Sequence, residues 1–174
     1  YGGYTINIDR DFLDVSSTVR RPQGCPTTLN FATYPVLRAG TRGPEVMGAQ
    51  CLLARRGFDP GRATGTVRWR TAAAIKAFNA SRGLRDRAVV GRRTWTALLS
   101  SGTRPSLQRG SVGRAVSRLQ RGLSASLERT VVVTGDKTFD RRTRRAVVVY
   151  QRAHGLTVDG VAGKRTWRAL QAGR

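Results

Sequence analysis

The chain states one pattern twice, and that limits it to folds built from a small duplicated unit. Tyr34-Pro35-Val36-Leu37-Arg38-Ala39-Gly40-Thr41-Arg42-Gly43 recurs as Arg104-Pro105-Ser106-Leu107-Gln108-Arg109-Gly110-Ser111-Val112-Gly113. The offset is 70 residues through Val46/Val116, Gln50/Gln120 and Leu53/Leu123. It is 72 from Thr71/Thr143 onward, through Phe78/Tyr150, Gly83/Gly155, Trp95/Trp167 and Leu98/Leu170, so a two-residue insertion falls near 128–133. Each unit of roughly 65–70 residues must bury a core of its own, and the function must be one that doubling improves. The expected division is a lead segment at 1–33, repeat 1 at 34–101 and repeat 2 at 102–174.

Within each repeat the apolar positions fall three and four apart, the spacing of an amphipathic helix. Val46, Ala49 and Leu53 mark a first helix from about Pro44 to Arg56, ended by Gly57; Val116, Leu119 and Leu123 mark its twin over about 114–127. A second helix is expected after Thr71 or Thr143, hydroxyl residues suited to an N-cap. Gly83 and Gly155 close it, each followed by a leucine placed for the hydrophobic contact of a left-handed cap. A third, short helix runs from Gly91 to Leu99 and from Gly163 to Leu170, with Trp95/Leu98 and Trp167/Leu170 facing inward. Thr64–Val67 and Val131–Val133 read as short extended pieces, and Ser100-Ser101-Gly102-Thr103 as the linker. The fold class is therefore all-α: two tandem three-helix bundles behind an irregular N-terminal segment. In that segment Tyr4–Ile8 alternates like a short strand, and Asp9, Asp11 and Asp14 read as solvated charge rather than a metal site.

Charge narrows the partner. The 174 residues carry 32 basic and 10 acidic side chains, net +22. Residues 1–33 are neutral, with three arginines and three aspartates; the repeats carry net +10 and +12. Both repeats thus face an anionic partner: nucleic acid, an anionic envelope polymer or an acidic membrane surface. No stretch reaches the roughly 18 apolar residues that cross a membrane. The chain opens on Tyr1 rather than Met, which reads as processing or trimming. Cys25 and Cys51 are the only cysteines. In an intracellular chain they would be two unrelated buried thiols; in an exported one, they staple the lead segment to the first helix of repeat 1.

The repeats resemble a known family. Repeat 2 reads Leu107-Gln108-Arg109-Gly110-Ser111-Val112-Gly113, then Val116-Ser117-Arg118-Leu119-Gln120, Asp136-Lys137-Thr138-Phe139, Thr143, Ala146-Val147 and Tyr150-Gln151. It ends Gly155-Leu156-Thr157-Val158-Asp159-Gly160-Val161-Ala162-Gly163 and Thr166-Trp167-Arg168-Ala169-Leu170. This is similar to the helical peptidoglycan-binding domain attached to bacterial cell-wall hydrolases, and the two copies span residues 35–171. The resemblance implies a compact bundle of three helices per repeat and non-catalytic attachment to peptidoglycan, secreted and wall-associated. Repeat 1 departs from the pattern at Thr64-Gly65, at Asn79 and at Arg87-Ala88, where repeat 2 keeps Gln151 and Asp159-Gly160.

The candidate binding residues follow from chemistry that suits wall carboxylates and the phosphates of teichoic-type polymers. Guanidinium forks pair with both groups. Arg38, Arg42, Arg109 and Arg114 flank the turn that opens the first helix; Arg141, Arg142 and Arg145 lie at the start of the second helix of repeat 2. Trp69, between Arg68 and Arg70 in a loop, is suited to stacking on a saccharide ring. Gln50 and Gln120 either support a loop backbone or reach ligand amides, and Asp159 marks the better-kept last loop. Trp95 and Trp167 read as core. His154, the only histidine, sits where a helix ends and a cation is welcome. No nucleophile turn, metal-ligand set or phosphate loop accompanies it, so the expectation is a binding protein with no catalytic residues, metal or cofactor. The competing readings are a nucleic-acid or other polyanion binder, and an interaction or inhibitor module that docks a partner protein through residues 1–33.

Overall fold

The computed structural model describes residue 25 and residues 29–85, 87–128 and 137–174. Six helices organise them: α1 (Pro44–Ala54), α2 (Trp69–Ser81), α3 (Arg92–Ser100), α4 (Arg114–Leu127), α5 (Arg141–Ala153) and α6 (Lys164–Gln171). Among the described residues there is no strand, and the fold is all-α as expected. Isolated antiparallel bridges join Leu37 to Val90 and Arg42 to Thr66, with Leu107–Ala162 and Val112–Thr138 as their counterparts. Thr66 is thus the bridged part of the expected piece Thr64–Val67. Val131–Val133, Tyr4–Ile8 and Asp9, Asp11 and Asp14 lie outside the described residues.

Pro44 begins α1, where its missing N–H would have had no partner. Gly83 (φ +63°) and Gly155 (φ +61°) close α2 and α5 in the left-handed region. The next residue completes each cap, Leu84 N–H donating to Asn79 O and Leu156 N–H to Gln151 O, both at 2.9 Å. The N-termini differ from expectation. Thr71 and Thr143 do not cap; they lie inside the first turns of α2 and α5, whose N-caps are Arg68 and Asp140. Asp140 Oδ1 accepts from Thr143 N at 2.7 Å and from its hydroxyl at 2.9 Å. Arg68 makes no side-chain cap bond.

Each repeat has its own apolar cluster, centred on Trp95 and Phe78 in one and on Trp167 and Tyr150 in the other. Both tryptophans are fully buried. Their indole N–H groups donate to Pro35 O and Pro105 O at 2.7 Å, tying the third helix of each repeat to its opening segment. The core role expected of them is the observed one.

The repeats are not beads on a string. α3 of repeat 1 packs against α4 of repeat 2, and Ala125 of α4 belongs to the core cluster of repeat 1. The two helices run antiparallel: Gly122 faces Ser100, while Arg92 meets Glu128 at 3.9 Å. A Cβ on Gly122 would stand 3.1 Å from that of Ser100, so the close approach depends on small residues. The expected linker is corrected accordingly. Ser100 ends α3, and both it and Ser101 are buried. Gln171 of α6 donates to Ser100 O at 3.1 Å and to Gly102 O at 2.8 Å. Backbone polar groups that a free linker would leave to water are paired inside the protein.

Cys25 and Cys51 form a disulfide with Cα atoms 5.8 Å apart, which fixes the end of the lead segment to α1. Closing a loop of that length contributes about 3 kcal/mol by restricting the unfolded chain. Phe31 and Tyr34 pack edge to face and both lean on Trp95, at 6.4 and 5.4 Å between ring centres. Burial pushes the Tyr34 phenol up to about 12, against the opposing pull of Arg121 and a hydrogen bond at Phe31.

Candidate functional site

In both repeats the turn that opens the first helix lies against the segment that leads into the second. In repeat 1 the turn is closed by Thr41 N–H donating to Arg38 O at 2.9 Å and by Arg38 N–H donating to the Thr41 hydroxyl at 3.0 Å. Gly40 N–H reaches Val67 O, Val67 N–H reaches Thr41 O, and Gly43 N–H reaches Gly65 O. Repeat 2 copies this with Gly110 N–H to Phe139 O, Phe139 N–H to Ser111 O and Gly113 N–H to Lys137 O. Each repeat therefore presents one stiff edge made of a turn and the entry to a helix.

Most of the predicted residues project from these edges. Arg38, Arg42 and Trp69 are exposed in repeat 1, and Arg109, Arg114 and Arg141 in repeat 2. Trp69 is the first residue of α2 rather than part of a loop, and its side chain is 78% exposed. Arg70 holds its guanidinium 5.7 Å from the Trp69 ring centre and pairs with Asp59 at 3.0 Å, so a cation stands beside an open aromatic face. Arg141 occupies the corresponding place in repeat 2, so the two edges are not chemically alike. Arg142 and Arg145 are also exposed, in the first turn and a half of α5.

Gln50 and Gln120 do not belong to this set. Both are completely buried. Gln50 Nε2 donates to Thr66 O at 3.1 Å and to the Thr71 hydroxyl at 2.9 Å, while Oε1 accepts from Gly65 N at 3.0 Å. Gln120 Nε2 makes the equivalent bonds to Thr138 O and the Thr143 hydroxyl. Of the two roles open to these amides, loop support is the observed one. It also explains the two threonines, which serve as partners to the glutamines instead of as caps.

A second pair of buried amides went unrecognised. Asn79 Nδ2 donates to Arg87 O and Val89 O, and its Oδ1 accepts from the Thr94 hydroxyl. Gln151 Nε2 donates to Asp159 Oδ1 at 2.8 Å and to Val161 O at 3.0 Å, and its Oε1 accepts from Gly160 N. The signal was a polar residue directly after the buried aromatic of the second helix. Asp159 is exposed, yet its Oδ1 also accepts from Val161 N–H at 2.8 Å. That bond and the one from Gln151 hold its carboxyl below the usual range. Its visible work is to shape the α5–α6 loop.

His154 is the C-cap of α5, its ring centre 4.3 Å from that of Tyr150 and tilted against it. It borders a cleft of about 530 Å³ between the repeats, which Arg92, Arg93 and Arg174 also line. Desolvation, then Arg174 and Arg92, lower its pKa. The expectation that a cation is welcome there is reversed, because desolvation, joined by two nearby guanidiniums, outweighs the helix end. Among the described residues no group of three histidine, cysteine or acidic side chains could hold a metal.

Duplicated three-helix units whose loops are stapled by buried amides define a small helical module, used twice. The family model of the peptidoglycan binding domain matches residues 42–98 and again 112–170. The chain belongs to that family, in two tandem copies. A search of curated proteins finds no match to it. Among the described residues no helix is long and apolar enough to cross a membrane.

Proposed function

We propose that this protein is a non-catalytic anchor that holds itself, or a hydrolase or partner attached to it, on the bacterial cell wall outside the cell. The observation that carries this is the duplicated edge of turn and helix entry, in a chain whose family binds peptidoglycan. Trp69 stacks on a sugar face of the glycan, with Arg70 beside it. Arg38, Arg42, Arg109, Arg114, Arg141, Arg142 and Arg145 pair with stem-peptide carboxylates and with the phosphates of teichoic-type polymers. The net charge of +22 adds long-range attraction to an anionic mesh. Two weak sites on one chain lengthen residence through effective concentration, provided one strand reaches both. The disulfide agrees with an oxidising, extracellular setting.

The test is co-sedimentation with purified sacculi, before and after teichoic polymers are stripped, across a salt series. Binding that survives stripping and moderate salt is the expected result, with Trp69→Ala weakening it about fivefold. Loss of all binding on stripping would assign attachment to electrostatics alone. Failure to bind either preparation, together with tight salt-resistant binding to DNA, would replace the wall reading by a nucleic-acid one.

A further inference from the structure

The seam between the repeats gathers arginines that the edges above do not use. The turn after α1 supplies Arg56, the C-cap of α2 is Arg82, the connecting segment supplies Arg104, and α4 supplies Arg118 and Arg121. Arg56 Nη2 donates to Ser101 O, and Arg118 Nη2 to Thr103 O two residues on. Arg104 Nε donates to Gln171 Oε1 at 2.8 Å. Arg118 also lies 4.5 Å over the Trp167 ring, and Arg82 5.2 Å over Phe78.

None of these contacts is with a carboxylate. The Nε atoms of Arg56, Arg82, Arg118 and Arg121 are all buried and, among the described residues, lack a hydrogen-bond partner. Among the described residues no carboxylate forms an ion pair with any of the five. Desolvation comes first and mutual repulsion second in lowering the affinity of Arg56 and Arg118 for their protons, to about 10 each. Both stay charged at neutral pH. Buried donors and unpaired like charges are each costly, and one guest with several acceptor oxygens and negative charge answers both.

The geometry points to a site for a phosphate-class oxyanion at this seam, held by Arg56, Arg82, Arg118 and Arg121 and bridging the two repeats. A tetrahedral phosphate group offers acceptors in several directions, as guanidiniums gathered from the ends of α1 and α2 and from α4 require. Its source is either free phosphate or a phosphodiester carried by a polymer. The site is separate from the turn edges and does not depend on their binding the wall.

Thermal unfolding of the full chain in inorganic phosphate, against chloride at matched ionic strength, tests this. We expect a saturable rise in Tm on the order of 3–5 °C with phosphate and none with chloride. Arg56→Gln with Arg118→Gln should abolish the rise; if that double variant fails to fold, Arg82→Gln and Arg121→Gln singly should each reduce it. Arg165→Gln, an exposed α6 arginine outside both sites, should leave it intact. A soluble glycerol-phosphate polymer that saturates at much lower phosphate concentration than the free ion identifies a polymer-borne source; equal concentrations identify the free ion. Phosphate acting no better than chloride, or variants that keep the full shift, would overturn the proposal. Because no wall material is present, that failure is distinct from a failure of sacculus binding.

Discussion

Asp140 and His154 sit at opposite ends of α5 and respond to acid in different pH ranges. Desolvation works to raise the Asp140 carboxyl, but hydrogen bonds from Thr143 and Arg142, with the Arg142 charge, outweigh it and leave the pKa lowered. A lowered folded pKa means that its stabilisation is complete above the unfolded value and is lost as pH falls through the folded one. Asp140→Ala should therefore cost about 1 kcal/mol at neutral pH by chemical denaturation. Asp140→Asn should retain much of the cap while removing its share of the acid loss. His154 is lowered too, but it is a base, so the folded state favours the neutral ring. Its penalty is absent at neutral pH and grows as pH falls from the unfolded value of about 6.5 through the folded one. His154→Gln should flatten stability between pH 7 and 5; a wild-type protein whose stability does not fall over that range would refute the reading.

At the scale of elements, buried amides decide the loops. Gln50 binds three groups of the segment entering α2, and Gln151 organises the loop from α5 to α6. Removing either leaves buried donors and acceptors unpaired, so Gln50→Ala and Gln151→Ala should each cost about 2–4 kcal/mol in urea unfolding. If Gln50 served a ligand instead, the variant would keep its stability and lose only affinity for sacculi. The helices themselves were legible in the chain: three-and-four spacing placed all six, and Gly83 and Gly155 placed two of their ends. The N-caps were not legible. Thr71 and Thr143 look like caps in isolation, and only the buried glutamine one helix away shows that their hydroxyls are already engaged.

At the scale of the molecule, the packing of α3 on α4 makes the halves cooperative. Ala125 lies in the core of repeat 1, and Gln171 holds the backbone between the repeats. A single calorimetric transition is expected, with the calorimetric and van't Hoff enthalpies agreeing. Gly122→Leu should wedge the antiparallel pair apart and split the transition in two. One transition in that variant would show that the seam contributes little to cooperativity.

What the sequence determined by itself is the duplicated pattern: which residues repeat, which face of each helix is apolar, which tryptophans are core, and that both repeats are strongly basic. These follow from periodicity and composition, which are local properties of the chain. Only the tertiary structure decided that Ser100 and Ser101 belong to an interface rather than a linker, that Gln50 and Gln120 face inward, and that Arg56, Arg82, Arg118 and Arg121 converge. Each depends on residues distant in the chain, from 15 positions (Gln50 and Gly65) to 71 (Ser100 and Gln171), being brought together, and periodicity within a helix carries no information about the partner that the helix will meet.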